Sequence, residues 1–278
     1  MAASAFLVVL RKEFRDSLSS KWLLSFAITF FFLALGVPYI ILRSFRYLPE
    51  DYPGMVVSTL VGLAVPLVPL ISLAMSSTSI SGERETGTME FLLAQPATRM
   101  EVFMGKYLGL LVSITLAMLL GYGTAELLVY SSNPIFIEQF MFGLLYSMML
   151  SGAALSIGFV ISVFAKGRIA AQGAGLFLWF ILVVIYDVGF LGVIAVVLNL
   201  SQYLVPIALV NPVEVTRILS LMHMGKSPLR GELGPTASFM IRIWGPDLAS
   251  IVLSANLIIW ILVPLTISAL MFRRQDAR

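Results

Sequence analysis

The sequence has no cysteine, one histidine and few charges, Asp, Glu, Lys and Arg together making up 12% of its 278 residues. Each shortage removes a class of function. Without cysteine there is no disulfide framework, no thiolate metal site and no cysteine nucleophile, and a lone His223 rules out HExxH and multi-histidine metal ligation. No GxSxG occurs, so the nucleophile turn of the serine hydrolases is missing as well. The low charge, set beside 59% hydrophobic residues and a mean hydropathy of +0.96, excludes a soluble globular domain, in which roughly a quarter of residues are charged.

What the chain has instead is long apolar runs. Residues 22–42, 55–82, 139–165 and 248–272 hold no charge at all, and roughly 20 helical residues at about 1.5 Å each cross a hydrocarbon core of about 30 Å. Nearly charge-free windows predict six spans, at 22–42, 55–80, 107–130, 140–165, 169–198 and 248–272. The fifth is ambiguous. Asp187 is the single charge between 169 and 213, which leaves room for one span plus an interfacial helix or for two short spans. Parity favours one span, because both termini are basic (Arg11, Lys12, Arg15 and Lys21 at one end, Arg273, Arg274 and Arg278 at the other) and an even count places them on the same side. With both termini inside, the inside segments hold 12 of the 18 Lys and Arg residues, as the positive-inside bias requires. The net charge of +3 is then an orientation signal and not a nucleic-acid surface. The apolar stretch 2–10 has its basic residues after it, not before it, which argues against a cleaved signal peptide. The expected fold is all-α: a polytopic six-helix membrane protein forming a single domain over 1–278, both termini cytoplasmic.

Two inside segments differ from simple connectors. In residues 1–20, Phe6, Leu10, Phe14 and Leu18 recur every four residues with Arg11, Lys12, Arg15 and Asp16 on other faces, which predicts a helix lying in the membrane interface. Residues 81–106 are longer than a tight turn needs. There Glu83, Arg84 and Glu85 precede Gly87, Thr88 is placed to cap a short helix through Met89, Phe91, Leu92 and Leu93 with Glu90 in its first turn, and Pro96 stops it. Composition leaves open whether this is an amphipathic connector or a surface for a cytoplasmic partner. It is not a phosphate loop, because the residue after Gly87 is Thr88 and not the lysine that would reach the phosphates. Residues 199–247 are read as a long outside loop.

The run Gly82-Glu83-Arg84-Glu85-Thr86-Gly87-Thr88-Met89-Glu90, followed by Leu92-Leu93, Gln95-Pro96, Arg99 and Gly105-Lys106, resembles the signature of the type-2 ABC transporter permeases. The resemblance implies that Gly82, Glu83, Arg84, Glu85, Gly87, Thr88, Glu90 and Pro96 belong to a coupling helix that docks in a groove of an ATP-binding subunit. It implies a homodimer of permeases in the cytoplasmic membrane, paired with two copies of that subunit. ATP and Mg are then carried by the separate subunit, with no cofactor and no metal in this chain. A narrower likeness lies in Tyr186-Asp187-Val188-Gly189-Phe190-Leu191 and Asn211-Pro212-Val213-Glu214-Val215-Thr216-Arg217. These are similar to motifs of the permease subgroup that supports maturation of the copper sites of nitrous oxide reductase, and they imply a periplasmic partner contacted by Asn211, Pro212, Glu214 and Arg217.

Asp187 is costly inside a span, about 2.5–3.5 kcal/mol on insertion scales, so it should face the bundle or a dimer axis, either as a polar helix contact or on a translocation path together with Tyr186. Intramembrane aspartyl proteolysis needs a second aspartate in a GxGD context, which is absent. Glu126 falls near the outer end of the third span; it is a further candidate for the translocation path or its gate, with an interfacial position the simpler reading. Met222-His223-Met224 could offer soft ligands to Cu(I), but an interfacial apolar patch is the simpler reading. Beside a general exporter of drug, lipid or polysaccharide, the chain could transmit motion to an outside partner without carrying cargo.

Overall fold

A computed structural model of the chain describes residues 5–44, 52–93, 97–130, 137–189, 201–223 and 234–274. Every regular element among them is helical: α1 (Ala5–Leu18), α2 (Lys21–Ser44), α3 (Tyr52–Ser79), α4 (Ser81–Glu85), α5 (Thr88–Leu93), α6 (Arg99–Tyr130), α7 (Ile137–Phe164), α8 (Arg168–Phe180), α9 (Ser201–Leu209), α10 (Pro212–His223) and α11 (Gly234–Arg274). Six helices are long and apolar enough to cross a membrane, over Lys21–Ile41, Gly54–Glu85, Arg99–Leu127, Ile137–Phe164, Arg168–Gly189 and Thr236–Arg274. The chain is therefore an all-α, six-span membrane protein.

Side chains with little bulk decide which helices touch. Gly158 of α7 faces α3 so closely that a Cβ there would fall 1.8 Å from Ser76 Oγ. Ser72 and Ser151 share a buried hydrogen bond across the same seam. Such small-residue contacts let helix backbones approach where lipid supplies no hydrophobic drive between them. Ser162 of α7 accepts from the backbone N–H groups of Ile80 and Ser81, at 2.9 and 3.0 Å, and so satisfies the join between α3 and α4 inside the protein. Aromatic rings fill the centre: Phe103 and Tyr107 of α6 meet Phe159 of α7 edge-on, at centroid distances of 5.2 and 5.7 Å.

The interfacial helix packs more intimately than its pattern suggests. Val9 and Ser17 of α1 are buried, with Phe6, Leu10 and Phe14 half-buried beside them. They lie along α6 at Gly105 and Gly109, where a Cβ would come within 2.9 Å of Val9 and 2.7 Å of Glu13. Of the four residues in the predicted apolar stripe, only Leu18 is exposed.

The region read as an outside loop is largely helical. Val205, Ala208, Ile218, Leu219, Ala237 and Met240 are buried with Leu253 and Leu257 in a second core. The last helix begins well before residue 248 and is broken at Gly245, whose φ of 76° is left-handed, just ahead of Pro246. Arg242 and Asp247 on either side of this break conceal the earlier start in a charge-based reading. The fifth span continues from α8 through a π turn, Ile181–Ile185, to Gly189. Asp187 thus stands near the end of the described span rather than at its centre.

Candidate functional site

The run Glu83-Arg84-Glu85 reaches three different membrane helices as well as α1. Glu83 Oε1 lies 2.8 Å from Lys106 Nζ of α6 and 3.3 Å from Lys12 Nζ of α1. Arg84 Nη1 donates to the carbonyl of Val163 at the end of α7, at 3.3 Å. Glu85 accepts from the backbone N–H of Arg168, the first residue of α8, where a helix N-terminus favours an anion. The short α4 is in this way a hub tied to α6, α7 and α8.

Lys106 is the centre of the hub. Its side chain is 2% exposed and lies 3.0 Å from Glu13 Oε2 as well as 2.8 Å from Glu83. Ser79 donates to the other oxygen of Glu13 at 3.4 Å. Two lysines and two carboxylates balance, and burial is tolerable only because each charge has a partner. Glu83 Oε2 is buried without a hydrogen bond. Gly105 is what lets α1 come close enough for Glu13 to reach the ammonium.

Beyond the hub the chain turns. Gly87 has φ +71°, the left-handed region that glycine enters without strain. Thr88 does not cap α5 as expected: its hydroxyl donates to the carbonyl of Glu83 and lies 3.0 Å from Thr86 Oγ1, closing the turn against α4 instead. Met89 is buried, Glu90 in the first turn of α5 is exposed, and Phe91 is 77% exposed. Gly82 has space around it, its nearest neighbour being the side chain of Arg168 at 3.5 Å from a Cβ position. Pro96 lies outside the described residues.

A second charged cluster sits at the far end of the fifth span, beyond the π turn and roughly 30 Å from Arg168 by helical rise. Arg217 of α10 grips Asp187 with both guanidinium nitrogens, Nη1 to Oδ1 at 3.0 Å and Nη2 to Oδ2 at 2.9 Å, and Nη1 also donates to Glu214 at 2.8 Å. Burial pushes the Glu214 carboxyl above its ordinary value, opposed by Arg217 and reinforced by Asp187. Burial pulls Arg217 down, but its bonds to Asp187 and the charge of Glu214 outweigh this and hold the guanidinium above its usual range. Asn211 caps α10 by accepting from Val213 N–H at 3.0 Å and donates at 2.7 Å to the carbonyl of Leu182 within the π turn. Tyr186 is half-buried beside Asp187.

Asn211, Pro212 and Glu214, expected at a contact with an outside partner, are buried in the chain, and the polar groups of Asn211 and Glu214 bond within it. Arg217, about a third exposed, is held between two carboxylates. Glu126 is half-buried near the end of α6 and joins neither cluster. His223 packs against Phe142 and Tyr146 with the rings tilted, and it meets the Tyr146 hydroxyl at 3.2 Å. Sequence reasoning missed Lys12 and Glu13 as partners of Glu83 and Lys106. A signal was present in Val9, Glu13 and Ser17 at spacings of four, matched by Gly105 and Gly109 on α6.

The described residues form a six-span helical bundle with one charged segment, 83–85, tied to several spans at once. The chain belongs to the ABC-2 family of transporter proteins, whose family model matches residues 7–277, and it is a permease subunit of an ABC transporter. It is 30% identical over 243 residues to the probable ABC transporter permease protein NosY of Pseudomonas aeruginosa, covering 83% of this chain and 88% of that protein. It is 29% identical over 282 residues to the probable ABC transporter permease protein NosY of Stutzerimonas stutzeri, covering 96% of this chain and 97% of that protein.

Proposed function

We propose that this chain is a NosY-like permease that works as a homodimer with two copies of a separate ATP-binding subunit, which binds ATP and Mg and hydrolyses the nucleotide. The observation that carries this reading is the division of labour in 81–93. Glu83, Arg84 and Glu85 face inward onto α6, α7 and α8, while Glu90 and Phe91 are left exposed on the next turn. An exposed phenylalanine beside a hub of this kind suits a groove on a moving partner, and displacement of α4 would act on three spans together. In this reading the hub and both termini lie on the cytoplasmic side of the membrane, and the distribution of Lys and Arg supports that orientation.

The test is copurification of the permease with a coexpressed ABC ATP-binding subunit. Phe91→Asp should abolish association while leaving the permease folded, because the side chain touches solvent and not the core. Retention of the ATPase by this variant would remove α5 from the interface. Single cysteines at Ser19 and Thr98 should resist an impermeant thiol reagent added from outside, and labelling of either would overturn the orientation.

A second reading is that the permease moves a periplasmic, NosD-like partner without passing cargo, in support of copper-site maturation in nitrous oxide reductase. The fork between Arg217 and Asp187 favours it, since it ties the far end of the fifth span to α10, a helix outside the spans. Crosslinking of exposed positions on α9 or α10 to a periplasmic protein, in an ATP-dependent manner, would distinguish this from transport.

A further inference from the structure

We propose that the outward face of α1, together with the head of α2, is a binding surface for anionic phospholipid headgroups in the leaflet on the N-terminal side. α1 runs into α2 after two residues, and the apolar span opens at Lys21. Trp22, 44% exposed, and Leu18, 38% exposed, therefore stand where hydrocarbon gives way to headgroups, the depth that tryptophan prefers.

Around α1, at about 100° per residue, the exposed residues come in a definite order. Leu7 and Leu18 form one edge. Arg11 and Arg15 come next, then Val8, and then Lys12 and Asp16, before the arc of Val9, Glu13 and Ser17 that packs on α6. The two guanidinium groups thus lie between an apolar edge and the charged hub. Lys12 is engaged by Glu83. Arg11, Arg15 and Lys21 make no ion pair among the described residues, and all three are exposed. Three uncompensated cations beside an apolar edge at phosphate depth complement an anionic leaflet, and guanidinium forks match phosphate geometry. The inference concerns the isolated chain and does not depend on an ATP-binding partner. Because Lys12 and Glu13 on the same helix hold Glu83 and Lys106, headgroups that fix α1 also fix the hub.

The experiment uses the full chain in micelles supplied with equal amounts of phosphatidylglycerol and phosphatidylcholine, with retained lipid counted by native mass spectrometry. The wild-type chain should retain phosphatidylglycerol in preference, and the preference should fall at high salt. Arg11→Gln with Arg15→Gln should lower retained phosphatidylglycerol by about tenfold at unchanged thermal stability in neutral detergent, and Arg11→Lys with Arg15→Lys should keep most of it. Lys21→Gln alone provides a second, milder loss. Equal retention of the two lipids by the wild type, insensitivity to salt, or wild-type retention in the double glutamine variant would overturn the proposal.

Discussion

Glu83 of α4 and Lys106 of α6 meet at 2.8 Å while the lysine keeps only 2% of its side chain exposed. A buried ammonium between two carboxylates is neutralised by its neighbours, not by water, so its value shows when one partner is removed.

Lys106→Met should destabilise the chain by about 3–5 kcal/mol, because Glu13 would lose its ion-pair partner and Glu83 would keep only the more exposed Lys12. Adding Glu13→Gln and Glu83→Gln to that variant should restore much of the loss. Thermal unfolding in detergent reads both effects, and a triple variant no more stable than Lys106→Met would mean that the carboxylates are not what the lysine compensates.

Gly87→Ala should cost about 1 kcal/mol through backbone strain alone, since nothing lies within 4 Å of the position a Cβ would take. Gly87→Asn should cost less, as asparagine tolerates the left-handed region better. Equal stability of the alanine variant and the wild type would show that the turn relaxes to another conformation.

Asp187→Asn removes a charge from a fork in which both partners are about a third exposed, so the loss should be modest, about 1–2 kcal/mol. Exchanging the pair, as Asp187→Arg with Arg217→Asp, should recover part of it. A purified Asp187→Asn complex with wild-type stability but no transport would instead place the carboxylate in the mechanism itself.

Glu214 gives a pH dependence of defined sign. Its carboxyl is raised above the ordinary 4.5, chiefly by burial, so the folded chain holds its proton more tightly than the unfolded chain does. This contribution to stability is full below about pH 4.5 and is lost as pH rises through the higher folded value. Glu214→Gln should flatten the fall in melting temperature between that pH and neutrality. An unchanged slope in the variant would assign the dependence to other groups.

The spans were legible because absence of charge over twenty residues is a property of composition that needs no partner to be read. The break at Gly87 and the short helix after it were legible for a local reason, glycine between two helix-forming runs. Partnerships across elements were not. Nothing local to Glu13 says that Lys106 will lie beside it; only the matched spacing of Val9, Glu13 and Ser17 with Gly105 and Gly109 hints that two helices touch. Arg217 was assigned to an outside partner through a motif likeness over 211–217, and a motif says nothing of Asp187, thirty residues earlier, as the partner of its guanidinium. The i,i+3 relation of Glu214 and Arg217 placed both on one face of a helix, but which face turned inward depended on packing against Leu182 and Asp187.

The fifth span is held at both ends by charge, at Arg168 through the carboxylate of Glu85 and at Asp187 through the fork of Arg217, and the π turn lies between them. The three parts are in series. A helix clamped at one end only can drift when pushed, whereas one clamped at both must either carry a displacement through or absorb it. The wider turn at Ile181–Ile185 contains the one surplus residue that can absorb it, and Asn211 holds a carbonyl of that turn. Among the described residues of the span, Asn211 thus fastens the one turn that departs from α geometry, and it does so from just ahead of α10.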